Sequence, residues 1–325
     1  MNYAYLGKTG LKVSRLCLGT MNFGQSTDEK EAFRIMDAAL DAGINFFDTA
    51  NGYGGNKRGY TEEIIGRWFA QGGGRRERVV LATKVYGNME DQNDGPNMAS
   101  GLSAYKIRRH LAASLSRLQT DHIELYQMHH IERNATWDEL WEVFQSLVQQ
   151  GTVDYIGSSN FAGWHLAVAQ AEAKARNMLG LVSEQHKYSL LCREPELEVL
   201  PSAKHHGIGV VAWSPLAGGL LGGNALKPEY GSRSSHEAKA IEERRSQLKR
   251  YAALCSDVGE SESNLGLAWL LANPALTAPI IGPRTLGQLE NSLRSVEIVI
   301  NEETNKELDS IFPGPGKPAP EAYAW

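Results

Sequence analysis

The sequence predicts an α/β fold, a (β/α)8 TIM barrel with an N-terminal β-hairpin and a long loop after its seventh strand. Short apolar runs alternate with longer amphipathic stretches along nearly the whole chain, and eight such units follow one another. This alternation is typical of a parallel sheet, and eight units are the number that closes a barrel. An open dinucleotide-binding sheet usually carries a GxGxxG motif after its first strand. No such motif follows the first run here, which favours the closed barrel.

The strands of the barrel are predicted at the eight apolar runs. Several of these runs show almost no polar alternation, as expected of parallel strands covered on both faces. The predicted strands are residues 16–19, 45–49, 79–84, 123–129, 153–158, 181–185, 210–214 and 279–282. The amphipathic stretches between them predict helices at residues 29–42, 61–69, 104–118, 136–150, 164–176, 195–206, 263–272 and 285–295.

Two segments fall outside the eight units. Two short runs around residues 7–10 predict a β-hairpin, which we expect to close the N-terminal end of the barrel. Residues 218–245 are rich in glycine, serine and charge and lie between the seventh strand and the next helix. A loop of this length in a compact domain is usually functional, so a lid is predicted there. Neither a linker nor an internal repeat divides the chain, and residues 1–325 are predicted to form a single domain.

Composition restricts the class of partner. The chain has 325 residues, with 33 Lys and Arg against 38 Asp and Glu, a net charge of −5, and no basic run suited to a nucleic acid. It has no stretch near the ~20 apolar residues that span a bilayer. The residues after Met1 lack the basic region and the apolar region that are typical of a signal peptide. Three distant cysteines, Cys17, Cys192 and Cys255, suit neither a disulfide framework nor paired zinc ligands. We therefore expect a cytoplasmic protein, without a metal site, that acts on a small molecule.

Candidate catalytic residues come from the polar ends of the strands, because the active site of a (β/α)8 barrel lies there. Asp48, Lys84 and His129 lie at the ends of the second, third and fourth runs, and Tyr53 follows Asp48 by five residues. Taken singly, such an Asp can cap a turn, a Lys can extend into solvent, and a His can be a core residue. A lysine at the end of a buried strand, however, needs a counter-ion, and Asp48 on the neighbouring strand can supply one.

A buried Asp–Lys pair beside a tyrosine predicts an acid catalyst. We expect the ammonium of Lys84 to lower the pKa of Tyr53 from about 10 towards the pH at which the protein works. A general acid is most effective when its pKa lies near that pH. We expect His129 to orient a substrate carbonyl or to share the proton.

Several motifs occur in an order that resembles the aldo-keto reductase superfamily, in particular its bacterial branch that is similar to potassium-channel β-subunits. They are LGTM at 18–21, DTANGY at 48–53, Lys84, His129, IGSSNF at 156–161, AWSPL at 212–216, IGPRT at 281–285 and QL at 288–289. The resemblance covers almost the whole chain and implies a barrel that binds NADPH without the Rossmann fingerprint. It implies that Tyr53 is the proton donor, that Lys84 and Asp48 tune it, and that His129 helps to position the carbonyl.

The same resemblance implies a set of NADPH contacts. Ser159, Asn160 and Gln185 match positions that bind the nicotinamide carboxamide, and Trp213 matches the aromatic residue that stacks on the ring. Arg284, near the start of a helix, would pair with the 2′-phosphate that distinguishes NADPH from NADH. The other implied contacts are Thr20, Met21, Gln25, Asp48, Ser214, Pro215, Leu216, Gly219, Arg233, Gly282, Gln288, Asn291 and Ser292.

Two of these positions depart from the family pattern. Asn291 stands where Glu or Asp is usual, and Ser292 stands where Asn usually contacts adenine. The departures bear on the affinity for adenine and on the preference for NADPH over NADH. They do not bear on the catalytic tetrad that the resemblance implies, which consists of Asp48, Tyr53, Lys84 and His129.

The sequence thus predicts NADPH-dependent reduction of an aldehyde or ketone to an alcohol, with a tyrosine as general acid. Met21, Tyr86, Met89, His130 and Trp137 would line the pocket, and their aromatic and thioether content suits a bulky ketone such as a natural-product side chain. Three alternatives stay open: a reductase of a deoxysugar ketone, a nucleotide-sensing regulatory subunit resembling potassium-channel β-subunits, and a Schiff-base aldolase with a lysine nucleophile. A homo-oligomer stays open under each hypothesis.

Overall fold

The computed structural model describes residues 1–227 and 235–316. Its strands are β1 (Tyr3–Tyr5), β2 (Lys12–Ser14), β3 (Cys17–Gly19), β4 (Phe46–Asp48), β5 (Val80–Val85), β6 (Ile123–Met128), β7 (Val153–Ser159), β8 (Leu181–Lys187), β9 (Gly209–Trp213) and β10 (Leu276–Ile281). Its α-helices are α1 (Glu29–Asp41), α2 (Tyr60–Phe69), α3 (Ala104–Leu118), α4 (Trp137–Gln149), α5 (Gly163–Ala175), α6 (Val199–His206), α7 (Ser235–Val258), α8 (Glu262–Ala272), α9 (Leu286–Leu293) and α10 (Glu302–Ile311). From β3 onward, at least one helix follows each strand.

Strands β3 to β10 form a closed parallel barrel in which each strand pairs with the next and β10 pairs with β3. The predicted (β/α)8 TIM barrel is thereby confirmed. The eighth strand begins at Leu276 rather than at the predicted residue 279. Pro279 has no N–H for the ladder, and the register between β9 and β10 shifts between Leu276 and Ala278. A strand can continue through proline beside such an irregularity.

The helices cover the outside of the barrel, and several of them, such as α1, do so with one apolar face. On α1 the buried residues Ala32, Ile35, Met36 and Ala39 recur at the three- and four-residue spacing of a single helix face. Asp28 caps this helix by accepting a hydrogen bond from an amide of the first turn. The apolar helix faces and the outward-facing strand residues form one large hydrophobic cluster.

The N-terminal hairpin closes the barrel from below, as predicted. Strands β1 and β2 pair antiparallel. Leu6 and Val13 are fully buried and belong to the same apolar cluster as Phe46 and Ala82, which lie in the barrel interior. The amide of Lys8 donates a hydrogen bond of 2.8 Å to the carbonyl of Gly207, just before β9. The N-terminal end of the barrel is therefore filled with side chains.

The long connection after the seventh strand is confirmed, but its predicted extent, residues 218–245, is wrong at the C-terminal side. Helix α7 begins at Ser235 and takes up the last third of that segment. Ala, Glu, Lys and Arg are strong helix formers, and Lys239 and Glu243 form an ion pair one helical turn apart. Part of the predicted lid, including Arg233, lies outside the described residues. Helix α10 follows the eighth unit and was not among the predicted helices.

Gly66 in α2 is expected to tolerate no side chain, although alanine is normally favoured over glycine in a helix by about 1 kcal/mol. A Cβ at Gly66 would overlap the backbone of Arg117 and lie 2.9 Å from the carbonyl carbon of Leu118. We predict that Gly66→Ala lowers the free energy of unfolding by about 1–3 kcal/mol. Gly287→Ala in α9, where a Cβ meets nothing within 4 Å, is the matched control. Equal urea-denaturation midpoints for the two variants would contradict this packing.

Candidate active site

The register of the strands brings three polar side chains together inside the barrel, at its C-terminal end. Phe46, Ala82 and Leu125 belong to the apolar cluster of the barrel interior. Alternate residues of a strand point to the same side, so Asp48 and Lys84 also point inward, two residues further along β4 and β5. Gln127 follows Leu125 on β6 in the same way, and it lies opposite Lys84 in the ladder.

Lys84 is fully buried, and each of its three N–H groups has an acceptor. Nζ donates to Oδ2 of Asp48 at 2.6 Å, to the carbonyl of Thr49 at 2.8 Å and to Oη of Tyr53 at 3.1 Å. Burial by itself lowers the pKa of Lys84, but Asp48 and Tyr53 raise it further than burial lowers it. The ammonium therefore stays charged at neutral pH, and Asp48 is the counter-ion that was predicted.

Asp48 is held by two glutamines on the far side of its carboxylate. Oδ1 accepts hydrogen bonds from Nε2 of Gln185 at 2.7 Å and from Nε2 of Gln127 at 3.1 Å. Gln185 was predicted as a contact of the nicotinamide, and here its amide binds the carboxylate of Asp48. Gln127 was not predicted, because its contact with Asp48 follows from its register with Lys84, which only the structure shows.

Tyr53 lies in the β4–α2 loop, and its hydroxyl oxygen accepts a hydrogen bond from the buried ammonium of Lys84. Burial raises the pKa of Tyr53, and although Lys84 acts in the opposite direction, the net shift is upward. The prediction that Lys84 lowers this pKa below its ordinary value is therefore wrong, because the loss of hydration and the charge of Asp48 outweigh the ammonium. The phenol keeps its proton at neutral pH. Since its oxygen accepts from Lys84, its own hydrogen is free to donate.

His129 follows β6 directly, and its amide donates to the carbonyl of Val85 at 3.0 Å. Its ring lies edge-on to that of Tyr53, with 6.1 Å between centroids and 79° between planes. Burial, the charge of Lys84 and the neighbouring His130 lower the pKa of His129 to about 3. The imidazole is therefore neutral at physiological pH and can hydrogen-bond a polar oxygen without adding a charge.

Beside this centre, the ends of β7 and β9 are joined through Asn160. This residue has a left-handed backbone, with φ at 61°, and its amide donates to the carbonyl of Gln185 at 3.0 Å. Nδ2 of Asn160 donates to Oγ of Ser159 at 2.9 Å, and Oδ1 accepts from the indole N–H of Trp213 at 3.1 Å. The Trp213 ring is half-exposed. A fixed aromatic ring beside a hydroxyl and an amide is an arrangement that fits a nicotinamide.

Two non-glycine residues in the turn after β9 have a left-handed backbone, Ser214 with φ of 54° and Ala217 with φ of 51°, and the two glycines that follow, Gly218 and Gly219, also have positive φ. Oγ of Ser214 accepts from the amide of Gly218 at 3.0 Å. The predicted cofactor contacts Ser214, Pro215, Leu216 and Gly219 belong to this turn.

The remaining predicted cofactor contacts lie after β3 and β10, next to the turn after β9, because β10 pairs with both β9 and β3. Arg284 is half-exposed, its amide donates to Oε1 of Gln288 at 2.8 Å, and its carbonyl accepts from Thr27 at 3.0 Å. Nδ2 of Asn291 donates to Ser263 at 3.1 Å. The others lie in the β3–α1 loop, after β10 or on α9: Thr20, Met21, Gln25, Gly282 and Ser292. No hydrogen bond among the described residues joins Asn291 or Ser292 to the tetrad.

No group of three or more His, Cys, Asp and Glu side chains is arranged to hold a metal ion in residues 1–227 and 235–316. Nor does any helix of that part of the chain have the length and apolar character needed to cross a membrane.

The fold and the site together define a (β/α)8-barrel protein with a hydrogen-bonded Asp–Lys–Tyr cluster at the C-terminal ends of its strands. Comparison with known proteins makes this class specific. Residues 15–312 match the model of the aldo/keto reductase family, and the chain belongs to that family. The resemblance predicted from the motifs is confirmed.

Three relatives illustrate the range of the family around this chain. It is 66% identical over 326 residues to an uncharacterized oxidoreductase, YrpG, of Bacillus subtilis, and the match covers 100% of each chain. It is 32% identical to a putative aryl-alcohol dehydrogenase of Schizosaccharomyces pombe over 95% of each chain. It is 30% identical to a probable voltage-gated potassium channel subunit beta of Arabidopsis thaliana over 92% of each chain. The family and these oxidoreductases support carbonyl reduction in general.

The buried charge pair predicts a specific pattern of stability. Lys84→Met would leave Asp48 buried without its counter-ion, so we expect the free energy of unfolding to fall by about 3–5 kcal/mol. The double variant Asp48→Asn/Lys84→Met removes both charges and retains an oxygen for the two glutamines. It should therefore be more stable than Lys84→Met in urea denaturation at neutral pH. Equal stabilities would show that the aspartate does not depend on the lysine.

Proposed function

We propose that this protein reduces an aldehyde or ketone to an alcohol, with NADPH as hydride donor and Tyr53 as general acid. The observation that carries the proposal is the hydrogen bond from Nζ of Lys84 to Oη of Tyr53 at 3.1 Å, which leaves the phenolic proton free to donate. Tyr53 is half-buried, at the end of the barrel where the active sites of this fold lie. The proposal includes a cytoplasmic location, in keeping with three cysteines that are all free thiols.

The residues of the tetrad divide the work of the reaction. NADPH, when bound, supplies the hydride that reaches the carbonyl carbon. As the carbonyl oxygen gains negative charge, Oη of Tyr53 transfers its proton to that oxygen and becomes a tyrosinate. The ammonium of Lys84 stabilises this anion, because it is already fixed by Asp48 and needs no reorganisation. His129 is neutral, so it can hold the carbonyl oxygen without competing for the proton.

The cofactor part of the proposal is supported by two groups of residues. Trp213 offers a half-exposed ring whose indole N–H is fixed by Asn160, so a nicotinamide would stack on a preorganised surface beside Ser159. The backbone of Arg284 forms hydrogen bonds with the side chains of Thr27 and Gln288. No carboxylate among the described residues pairs with its guanidinium. This cation stands just before α9, where an anionic 2′-phosphate would also meet the helix N-terminus.

A bulky carbonyl compound, such as a ketone on a natural-product side chain, is the proposed substrate. Met21 is 55% exposed beside the site, and the rings of Tyr86 and His130 lie 5.6 Å apart above β5 and β6. These side chains offer apolar surface. Trp137 was also predicted in the pocket, but its ring stacks on Trp141 at 6.1 Å and packs with the core. A deoxysugar ketone is the second substrate class to be assayed.

A second candidate function is a nucleotide-sensing regulatory subunit. The observation that favours it is the 30% identity to a probable potassium channel subunit beta. Under this hypothesis the protein would bind NADPH tightly and turn over no carbonyl compound. Turnover of a panel of aromatic aldehydes, bulky ketones and keto-deoxysugars distinguishes the two functions.

Removing the phenolic hydroxyl tests the general acid. We predict that Tyr53→Phe lowers kcat at least about a hundredfold, because the developing alkoxide loses its proton donor. The dissociation constant of NADPH, measured by tryptophan fluorescence, should stay within about twofold. Tyr60→Phe, which removes a hydroxyl from the adjoining helix α2, is the matched control. A Tyr53→Phe enzyme with the wild-type rate would refute the assignment.

Removing the predicted phosphate ligand tests the cofactor. We predict that Arg284→Ala raises the dissociation constant of NADPH roughly tenfold or more and leaves that of NADH nearly unchanged, because only NADPH carries the 2′-phosphate. Quenching of the protein's tryptophan fluorescence measures the dissociation constants of both nucleotides. Arg294→Ala is the control, since Arg294 at the end of α9 already pairs with Glu260 and Glu297. An equal loss of affinity for both nucleotides would contradict the role of Arg284.

A further inference from the structure

The loop that follows β5, residues 86–103, is fastened to helix α3 through a buried aspartate. Nε of Arg109 donates to Oδ1 of Asp94 at 2.6 Å. Nε2 of His110, which is also buried, lies 3.1 Å from Oδ2 of the same carboxylate. The loop begins two residues after Lys84, so it leaves the barrel beside the catalytic centre.

His110 reaches a second loop as well, the one that carries Tyr53. Nδ1 of His110 lies 3.1 Å from Nδ2 of Asn51, a buried residue two positions before Tyr53. The backbone amide of Asn51 donates to the carbonyl of Lys84 at 3.2 Å. One imidazole therefore connects the loop after β5, the tyrosine loop and the strand of the catalytic lysine.

The donors and acceptors around His110 define its protonation. The Nδ2 group of Asn51 can only donate, so Nδ1 of His110 accepts and the ring proton lies on Nε2, facing Asp94. Burial, together with the charges of Lys106 and Arg117, lowers the pKa of His110 by more than Asp94 raises it, which keeps the ring neutral at neutral pH. Burial would raise the pKa of Asp94, but hydrogen bonds from His110 and Arg109 lower it, so the carboxylate stays ionised.

We propose that His110 is a positioning residue that holds the loop of residues 86–103 at a fixed distance from the Tyr53 hydroxyl. The inference rests on the proposed function, since a carbonyl substrate would lie between these loops. Tyr86, the first residue of the loop, packs on His130 beside the tetrad histidine. If the loop were free to shift, it would hold the carbonyl substrate less tightly in the ground state and in the transition state alike, which raises KM and leaves kcat nearly unchanged.

The other contacts of the loop of residues 86–103 do not fix its distance from the Tyr53 hydroxyl. Arg109 fastens the loop to α3 without touching the tyrosine loop. Arg58 and Glu90 do join the two loops, but their ion pair is exposed, with 3.6 Å between its atoms, and such pairs contribute little. In the described part of the chain, the buried side-chain connection between the two loops passes through His110.

Two conservative substitutions separate the two hydrogen bonds of the imidazole. In His110→Gln the side-chain nitrogen takes the place of Nε2, which keeps the bond to Asp94 and loses the bond to Asn51. In His110→Asn the side-chain oxygen takes the place of Nδ1, which keeps Asn51 and loses Asp94. Arg108→Ala is the matched control, because Arg108 is the exposed neighbour that donates to Ser146 on α4 instead.

Each variant is assayed with para-nitrobenzaldehyde and NADPH, and backbone hydrogen exchange is followed over residues 49–60 and 86–103. We expect both His110 variants to raise KM about tenfold, with kcat and NADPH affinity within about twofold. Exchange should be at least about threefold faster in both loops. Arg108→Ala should match the wild type in every measurement. A wild-type KM in either His110 variant would overturn the proposal, since one hydrogen bond would then suffice.

The same experiment separates this proposal from the proposed function. If the wild-type protein turns over no member of the carbonyl panel, the reductase assignment fails, and hydrogen exchange alone decides the role of His110. Faster exchange of residues 49–60 in His110→Gln, which keeps its bond to Asp94, would support the connection between the loops. Wild-type exchange there would overturn it.

Discussion

The buried ammonium of Lys84 is the constraint on which the catalytic end of the barrel depends. An unpaired charge at this depth would cost several kcal/mol, so each of its hydrogens must meet an acceptor. These acceptors are the carboxylate of Asp48, the backbone carbonyl of Thr49 and the phenol oxygen of Tyr53. Asp48 in turn needs donors for its second oxygen, and Gln127 and Gln185 provide them. The geometry of the site is thus the set of contacts that stabilises one buried charge.

The parallel barrel provides the surroundings in which this charge is useful. Phe46, Ala82 and Leu125 form an apolar layer below the polar residues, and the hairpin closes that layer with Leu6. Water is therefore kept out from the N-terminal side, and the polar layer faces the open strand ends. In such surroundings the field of the ammonium would act strongly on an anion at the phenol of Tyr53, as the proposed reaction requires.

The barrel and the tetrad could be predicted from the chain because they depend on local patterns, namely the alternation of strands and helices and the polar residues at strand ends. Gln127 could not, because its role depends on its register with Lys84. The predicted direction of the pKa shift of Tyr53 was wrong, because the loss of hydration depends on packing that no local sequence pattern reveals. The contact between Asn51 and His110 joins residues 59 positions apart in the chain. Helix α7 begins inside the predicted loop because a charge-rich segment is compatible with both a loop and an exposed helix, and the ion pair of Lys239 with Glu243 forms only in the helix.

The measurement that tests this account most directly is a single-turnover reaction with NADPH deuterated at its hydride-donating carbon. Each member of the carbonyl panel is incubated with excess enzyme, and the alcohol is examined by mass spectrometry. The account predicts one deuterium on the carbinol carbon of at least one product, with the hydroxyl hydrogen coming from the solvent-exchangeable phenol. Tight binding of NADPH without any labelled alcohol across the panel would contradict it and would favour a nucleotide-sensing protein.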